Sequence, residues 1–389
     1  MDSEIVFGKG VESETGRLVK KYGGSKAMIV YGSGSVKRSG LFDSVAASLS
    51  ETGIMFTEFG GVQPNPKRSF AEEGVKIALA EGVDFLIGLG GGSSIDTAKA
   101  ISIGIANGGD FWQFYRGEKP EKAAPVGTIV TIAASGSETS RSCVLVDDVD
   151  TGLKKGLWSQ FRPRFAVMNP ELTYTLSPYQ CASGCADILS HAFMRYFSNY
   201  TSYIGDRFGE AAMQTIVKYA PVALEEPENY EARAEILLTG SLSHCDLMFI
   251  GRPDGNSGGE HPLESQLSGF YDTAHGAGLA VIMPALLKYF VMNGTEEQVD
   301  KVAHFATNVF GIDPDPTLTS EYLAARGIAR FYDWLRSIGM PTTLAELGIT
   351  EDEIPAAVDR CMKARGSTIS GFLTLDEKAV TEVYNIASK

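Results

Sequence analysis

The strongest constraint on the fold is a change of pattern roughly halfway along the 389-residue chain. In the first half, short apolar runs alternate with helically spaced stretches such as Val36–Leu49 and Ser69–Ala80. Strands that alternate with helices form βαβ units, so this half predicts a mostly parallel sheet with helices on both faces. The runs that predict strands are Ala27–Tyr31, Ile54–Phe59, Phe85–Leu89, Val126–Ile132 and Phe165–Met168.

Beyond about Pro178 the strand signals stop and helical spacing takes over, interrupted by loops at Glu226–Pro227, Gly251–Gly259 and Gly311–Pro316. The sequence therefore predicts an α/β domain over residues 1–179 and an all-helical domain over residues 180–389, with a ligand in the cleft between them. The predicted helices are Gln180–Phe197, Gly205–Lys218, Ala232–Leu247, Ala277–Val291, Thr295–Phe310, Ser320–Ile338, Glu353–Ala364 and Leu375–Ala387.

The formal charge of −14 argues against two classes of partner, because an acidic chain is repelled by nucleic-acid phosphates and by anionic membranes. No uncharged apolar run approaches the ~18 residues of a membrane helix, since Gly278–Leu287 ends at Lys288. The five scattered cysteines predict reduced thiols rather than a disulfide framework, and the N-terminus lacks a secretory signal pattern. A cytoplasmic protein is expected.

A glycine-rich loop, Gly90-Gly91-Gly92, follows the predicted strand Phe85–Leu89 directly. Glycines allow a sharp turn and close approach to a ligand, and the N-terminus of a helix binds anions. Ser93 is predicted to cap that helix, with Asp96 as its capping-box partner. The loop thus predicts a phosphate site; the alternative is a tight turn that binds nothing.

A second turn, Gly32-Ser33-Gly34-Ser35, follows the first predicted strand and precedes Lys37 and Arg38. It departs from the usual dinucleotide fingerprint, because Lys37 replaces the third glycine. The turn carries no carboxylate, which would hold a ribose 2′-hydroxyl, whereas hydroxyls and cations accept a 2′-phosphate. If a dinucleotide binds, NADPH is therefore favoured; the alternative is a solvated turn that opens a helix.

Asp187 and His191 stand four residues apart in a predicted helix, so both lie on one face, one turn apart. With His261 and His275 they make a set of three imidazoles and one carboxylate, suited to Fe²⁺ or Zn²⁺ with open positions for a substrate. Aspartate and histidine also occur at this spacing incidentally. His244 and His304 are interpreted as ordinary histidines at the buried edge of amphipathic helices. Cys181 and Cys185 are interpreted as small packing residues, with a zinc-binding thiolate pair as the alternative.

Five ordered motifs together resemble the iron-containing (group III) alcohol dehydrogenases, in particular the butanol dehydrogenase-like branch, over nearly the whole chain. This resemblance implies the dehydroquinate synthase-like fold of that family, with a dinucleotide-binding α/β domain before a helical metal-binding domain. The motifs are Pro64-Asn65-Pro66, Gly90–Lys99, Thr131–Glu138, Ala182–Tyr196 and His261–Leu279.

Carried over by position, the resemblance implies a metal-dependent hydride transfer between NAD(P)(H) and a small uncharged alcohol or aldehyde, in a homodimer joined through an edge strand at Glu4–Gly8. NADP(H) is expected, with NAD(H) as the alternative. The implied metal ligands are Asp187, His191, His261 and His275. The implied cofactor residues are Gly32, Ser33, Ser35, Asn65, Gly91, Gly92, Ser93, Asp96, Thr131, Ser135, Val144 and Lys155.

Two positions depart from the family pattern. Ser265 stands where many relatives have another active-site histidine, and Ile132 replaces a hydroxyl residue in the Thr131–Glu138 motif. Both leave substrate identity and the proton route open. The aromatic segments Trp112–Tyr115 and Tyr196–Tyr203 favour a small uncharged substrate, with Arg141 and Arg252 unplaced.

Two other functions fit the same motifs. A lyase of the dehydroquinate synthase type also combines a nicotinamide with a metal, but it needs several cations around an anionic substrate. A nucleotide-sensing protein with a structural metal is the second alternative. Structural sites usually use thiolates and fill every position, whereas three histidines and one carboxylate resemble an open catalytic site.

Overall fold

The computed structural model describes residues 3–252 and 258–389 of the chain. The chain divides into two compact units, Met1–Thr175 and Leu176–Lys389. The first contains a parallel sheet with helices, and the second is helical apart from a two-stranded ribbon, so the predicted fold class is confirmed. The predicted loop Gly251–Gly259 lies partly outside the described residues.

Six strands of the first unit form one sheet in the order β1-β8-β5-β4-β2-β3, and every neighbouring pair is parallel. The other two strands, β6 and β7, form a separate antiparallel hairpin that the sequence analysis did not predict. The strands are β1 (Glu4–Phe7), β2 (Lys26–Tyr31), β3 (Met55–Gly60), β4 (Phe85–Gly90), β5 (Val126–Val130), β6 (Ser142–Val146), β7 (Lys154–Trp158) and β8 (Phe165–Met168).

The centre of the sheet is apolar because both of its faces are covered. Strand β4 is buried along its whole length, and Ile87 pairs in register with Ile29 of β2. Met28 and Ile29, which point to opposite faces, belong to two different apolar clusters. All five predicted strands are confirmed to within two residues, and β1 is an edge strand as expected.

The helices of the first unit pack on these two faces. Helices α4 and α5 contribute Val75 and Ile101 to the cluster around Met28, whereas α3 contributes Val45 to the cluster around Ile29. The helices are α1 (Thr15–Lys21), α2 (Ser35–Arg38), α3 (Leu41–Glu51), α4 (Arg68–Glu81), α5 (Gly92–Ala106) and α6 (Trp112–Tyr115).

The second unit consists mainly of long helices, and a short antiparallel ribbon, β9 (Thr368–Ile369) and β10 (Leu375–Asp376), precedes the last of them. All eight predicted helices have counterparts in the structure. The helices are α7 (Pro178–Tyr196), α8 (Tyr203–Glu225), α9 (Tyr230–Ser243), α10 (Glu260–Tyr271), α11 (His275–Asn293), α12 (Glu296–Phe310), α13 (Ser320–Ser337), α14 (Ile354–Arg365) and α15 (Glu377–Ala387).

Two features of this unit differ from the sequence prediction. Helix α10 was not predicted, because Gly259 and Pro262 at its beginning are residues that usually indicate a loop. Gly259 is the N-cap and has a left-handed φ of 103°. Helix α9 ends at Ser243, four residues before the predicted end. The interpretation of His244 as a residue within an amphipathic helix is therefore wrong, because His244 is the residue that ends the helix.

Helix α11 is long and apolar enough to cross a membrane by length and composition alone, with 19 residues and a mean hydropathy of 1.4. Lys288 does not exclude it from that test. However, 78% of its most apolar window is buried inside the structure. A core helix of a folded domain has the same character.

Replacing Gly327 of α13 with alanine is expected to lower the free energy of unfolding by about 2 kcal/mol, because overpacking a core typically costs this much. An added Cβ would lie only 2.1 Å from the Cβ of Ala306 in α12. Chemical denaturation would measure the loss.

The matched control for this prediction is Gly209→Ala in α8, where the nearest atoms to an added Cβ are 3.7 Å away. Alanine should stabilise that helix by about 0.5 kcal/mol, since glycine loses more backbone entropy on folding. Equal effects of the two substitutions would contradict the close packing of α12 and α13.

Candidate metal centre and nucleotide-binding loops

Helix α7 supplies the first two candidate metal ligands. A capping box between Ser177 and Gln180 fixes where this helix begins, with Pro178 in the first turn. Asp187 and His191 follow on one face, both 4% exposed, with 3.7 Å between Asp187 Oδ1 and His191 Nε2. The predicted spacing of one helical turn thus brings a carboxylate oxygen and an imidazole nitrogen to the same place.

The other two candidates come from the beginnings of α10 and α11. Ligand atoms of Asp187, His191 and His261 all lie within 4.8 Å of one another, which is close enough for one metal ion. His275 is outside that group of three, but its Nε2 is 4.0 Å from Asp187 Oδ1, and its ring centroid is 5.3 Å from that of His261. The structure therefore brings all four predicted residues together.

Two buried glutamates orient the histidines of α10 and α11. Glu260 Oε1 lies 2.8 Å from His261 Nδ1, and the Glu264 carboxylate contacts His275 Nδ1. Both glutamates have no exposed surface. A carboxylate at Nδ1 fixes the tautomer that leaves Nε2 free to bind a metal. Neither glutamate was predicted from the sequence, although Glu260 and Glu264 are one helical turn apart beside His261.

The charges at this cluster favour a divalent cation. Asp187, Glu260 and Glu264 contribute three formal negative charges around the imidazoles. Arg195 contributes one positive charge, and its Nη1 donates to the His191 carbonyl at 2.6 Å. Burial lowers the pKa of Arg195 to about 10, which leaves it protonated at neutral pH. Buried charges need compensation, and a divalent cation brings the formal sum to zero.

The imidazoles are also suited to coordination. Burial lowers the pKa of His191 well below its ordinary value, reinforced by the neighbouring His244 and His261, so the ring is neutral. His261 Nε2 is buried and, within the described residues, has no hydrogen-bond partner. Neutral imidazole nitrogens and a carboxylate are ordinary ligands of Zn²⁺ and Fe²⁺. The residues present therefore fit such an ion.

Other polar groups around the cluster are already engaged. Ser265, where the family resemblance implied a histidine in many members, donates its hydroxyl to the His261 carbonyl at 2.6 Å. Cys181 accepts from Arg233 Nη1 at 3.1 Å, and the hydrogen bond with Cys185 lowers the pKa of the Cys181 thiol to about 7. All five cysteines are free and buried, as predicted for reduced thiols.

In the first unit, the glycine loop leaves the beginning of α5 open. The helix begins at Gly92 with Gly91 as its N-cap, and no side chain caps it. The prediction that Ser93 is the N-cap is wrong, and so is the capping role of Asp96. Asp96 instead accepts from Ser137 Oγ and from the Val144 amide, which ties two later segments to α5. Uncapped N–H groups of a first turn are available to an anion.

The glycine loop packs against the Thr131–Glu138 segment. An added Cβ at Gly92 would lie 2.4 Å from Ser135 Oγ, and one at Gly91 would lie 3.0 Å from the Ile132 side chain. The Thr131 amide donates to the Gly90 carbonyl at 3.1 Å. Gly91, Gly92, Thr131 and Ser135, which the sequence analysis grouped, therefore form one continuous surface after β4 and β5.

The turn after β2, which contains Gly32, Ser33 and Ser35, is bordered by two cations with different surroundings. Lys37 Nζ is 2.5 Å from the Glu58 carboxylate. Glu58 belongs to β3 rather than to the turn, and it offsets the positive charge of Lys37. Arg38 Nη1 instead reaches back over the turn, 3.8 Å from where a Cβ of Gly34 would be. The contact of Lys37 with Glu58 could not be seen in the sequence, because Lys37 belongs to α2 and Glu58 to β3, 21 positions further along the chain.

The remaining predicted cofactor residues lie around the β6–β7 hairpin. Asn65 has a left-handed φ of 52°, and its Oδ1 accepts from Lys154 Nζ at 3.2 Å. Lys155 points to the other side of the strand, where its Nζ is 3.8 Å from Asp147 Oδ2. The hairpin residue that contacts Asn65 is thus Lys154, which the sequence analysis did not name.

Two aromatic residues that the sequence analysis associated with the substrate belong to the core. Trp112 is 2% exposed and stacks on Tyr115, and Tyr196 is 1% exposed and bonds Glu210. Arg252, which the sequence left unplaced, is buried against Asp206. Side chains this deeply packed do not line an open site.

Both units of the chain match models of one protein family. Residues 2–170 match the family model described as iron-containing alcohol dehydrogenase. Residues 181–388 match the model of the C-terminal domain of the Fe-containing alcohol dehydrogenase family. Together the two matches cover nearly the whole chain.

Individual relatives agree with the family match. The NADH-dependent butanol dehydrogenase A of Clostridium acetobutylicum is 35% identical over 98% of this chain and 97% of its own. The NADPH-dependent aldehyde reductase YqhD of Escherichia coli is 30% identical over 96% of this chain and 95% of its own. The crystal structure of NADH-dependent butanol dehydrogenase A from Thermotoga maritima superposes with a TM-score of 0.93 at 34% identity, covering 100% of this chain and 97% of that one.

Proposed function

Because the chain belongs to the iron-containing alcohol dehydrogenase family, we propose that it transfers a hydride between NADP(H) and a small uncharged alcohol or aldehyde. The observation that carries this proposal is the convergence of Asp187, His191, His261 and His275, with buried glutamates behind two of the histidines. Such an arrangement suits a catalytic ion better than a structural one.

The proposed ligands of one divalent ion, Fe²⁺ or Zn²⁺, are Asp187, His191, His261 and His275. When bound, the ion supplies a Lewis acid that polarises the substrate oxygen. The protein contributes the rest: Asp187 offsets the charge of the ion, and Glu260 and Glu264 hold two imidazoles in orientation. Burial of Asp187, His191 and the two glutamates lowers the local dielectric, which strengthens these interactions.

The proposed dinucleotide site uses the surface after β4 and β5. The uncapped first turn of α5 at Gly91, Gly92 and Ser93 offers N–H groups to the pyrophosphate. The Ser135 hydroxyl lies at the same surface, and the Thr131 backbone amide bonds the Gly90 carbonyl beside it. The further residues proposed around the cofactor are Gly32, Ser33, Ser35, Asn65, Asp96, Val144 and Lys155, with Asp96 acting through its bonds to Ser137 and Val144.

A preference for NADP(H) is proposed from the turn after β2. Ser33 and Ser35 offer hydroxyls, and Arg38 lies over the turn, so a 2′-phosphate there would meet donors and a positive charge. Lys37 contributes less, since Glu58 pairs with it. The relatives include one named NADH-dependent and one named NADPH-dependent, so the preference is argued from this turn and not from the family.

Arg38→Ala is expected to lower kcat/KM for NADPH about tenfold while leaving that for NADH nearly unchanged, because a hydrogen bond to a charged group is worth about 1.5–3 kcal/mol. Lys37→Ala is the matched control and should change the ratio little. Steady-state kinetics with both cofactors measures this. An unchanged preference in Arg38→Ala would contradict the assignment.

The small, uncharged substrate is proposed because the described residues around the metal cluster include no exposed cation. Among the described residues that contact the four candidate ligands, Arg195 is a cation; its Nη1 donates to the His191 carbonyl, and the residue is only 1% exposed, so it does not face a substrate. A carboxylate or phosphate on the substrate would find no exposed cationic side chain among these residues to pair with, since the charge of the ion is already offset by the carboxylates of the cluster. This disfavours the lyase alternative, whose anionic substrate requires several cations.

The decisive experiment mixes the metal-loaded protein, NADPH and butanal and follows the absorbance of the reduced nicotinamide. Loss of absorbance that depends on both butanal and the metal is the expected result. NADPH binding without turnover on a series of aldehydes would instead favour a sensor and contradict the proposal.

A homodimer in the cytoplasm is also proposed. Strand β1 pairs with β8 on one side and is the last strand of the sheet order, so its other edge can pair with a second copy. Five buried free thiols suit a reducing compartment. Light scattering of the purified protein tests the dimer, and a mass equal to one chain would contradict it.

A further inference from the structure

The three candidate imidazole ligands are not held in the same way. His261 and His275 each have a glutamate at Nδ1, which fixes the plane of the ring. His191 differs, because its Nδ1 is buried and has no hydrogen-bond partner within residues 3–252 and 258–389. The torsion that turns a histidine ring has a broad energy minimum, so an imidazole without such a partner needs another constraint.

The contact that supplies this constraint is a fourth imidazole. The ring of His244 stacks on that of His191 with centroids 4.3 Å apart and planes inclined by 24°. This is closer than the 5.1 Å between His191 and His261. Two nearly parallel rings in van der Waals contact limit each other's rotation, because turning either ring would drive its edge into the face of the other.

The backbone holds His244 in place for this role. It is the residue that ends α9, with φ −112° and ψ 13°, and a short 3-10 helix begins two residues later at Asp246. Its side chain is half-buried rather than fully exposed. The ring of His244, at the end of α9, thus lies against His191, a candidate metal ligand on α7.

We propose that His244 is a positioning residue of the metal centre, which confines the ring of His191 by stacking so that His191 Nε2 stays directed at the ion. This inference rests on the proposed function, because it takes His191 as a metal ligand. Stacking by His244 would orient the ring of His191, as Glu260 and Glu264 orient the rings of His261 and His275.

Metal binding without any substrate tests the proposal. The full-length protein is stripped of metal and titrated with Co²⁺, and the visible absorption of the bound ion reports both affinity and ligand geometry. Four variants are compared with the unchanged protein: His244→Leu, His244→Phe, His191→Ala and His304→Leu. Thermal unfolding of each variant without metal separates loss of binding from loss of fold.

Loss of the flat ring in His244→Leu should weaken Co²⁺ binding about tenfold and shift the visible bands, as changes behind a metal ligand typically do. His244→Phe keeps a planar ring and should bind within about threefold of the unchanged protein, since stacking rather than a nitrogen atom is required. His304, exposed on α12, is the control, and His304→Leu should bind as the unchanged protein does.

Two results would overturn the proposal while leaving the metal centre intact. The first is unchanged affinity and spectrum in His244→Leu when His191→Ala has lost binding. The second is His244→Phe binding as weakly as His244→Leu, which would give His244 a polar role or make it a ligand. If His191→Ala itself binds Co²⁺ normally, the proposed metal centre fails, and this inference fails with it.

Discussion

His261→Ala is expected to lower kcat/KM for aldehyde reduction by at least about a thousandfold, because a Lewis acid contributes several kcal/mol to the barrier and each 1.36 kcal/mol is tenfold in rate. His261 supplies a buried nitrogen that has no hydrogen-bond partner in the described chain, so its removal opens the ligand set. Elemental analysis should show less than one metal ion per chain, in parallel with the lost turnover.

The matched control for His261 is His304→Ala, which removes a histidine from the exposed side of α12 and should leave both metal content and turnover unchanged. NADPH binding, measured by fluorescence, should survive in both variants. Retained turnover of His261→Ala in the presence of a chelator would contradict the metal-dependent mechanism.

The second large effect is expected at a residue that binds no metal itself. Glu264→Gln should weaken metal binding about ten- to a hundredfold, the usual cost of altering a residue behind a metal ligand. Glutamine keeps the size of the side chain at its contact with His275, but it removes one of three buried negative charges. The variant thus separates charge from shape, and metal titration of the stripped protein measures the effect.

The control for Glu264 is another buried glutamate of the same unit. Glu210 is 3% exposed and accepts hydrogen bonds from Tyr196, Arg207 and Asn308. Glu210→Gln should lower the free energy of unfolding without changing metal affinity. Equal metal affinities of Glu264→Gln and the unchanged protein would show that the charge balance described for the cluster is wrong.

The fold could be predicted largely because its signals are local. Strands such as Phe85–Gly90 are continuous apolar runs, as parallel strands covered on both faces must be. The hairpin of β6 and β7 was missed, because antiparallel pairing depends on contacts that alternating polar and apolar residues specify only weakly. Helix α10 was missed since glycine and proline, which usually signal loops, stand at its beginning.

The candidate site could be predicted only in part, for a similar reason. Asp187 and His191 share a helix face, which spacing reveals, and residue type with family resemblance suggested His261 and His275. The partners of these residues depend on tertiary packing: His244, at the end of α9, approaches His191 of α7, and Glu58 of β3 contacts Lys37 of α2.

The cap of α5 shows how a local rule can fail at a binding surface. Serine at position 93 is a good N-cap by propensity, yet the helix begins one residue earlier, at Gly92, with Gly91 as its cap. A glycine cap uses none of the N–H groups of the first turn. The preferred serine cap is thus not used at the place where we propose that a ligand accepts hydrogen bonds from these N–H groups.

The most direct test of the central claim is a crystal structure of the protein grown with Zn²⁺, with diffraction data collected across the absorption edge of the metal. We expect one strong anomalous peak about 2.0–2.2 Å from a carboxylate oxygen of Asp187 and from one nitrogen each of His191, His261 and His275. A peak bound elsewhere, or these four side chains with no ion among them at saturating Zn²⁺, would contradict it.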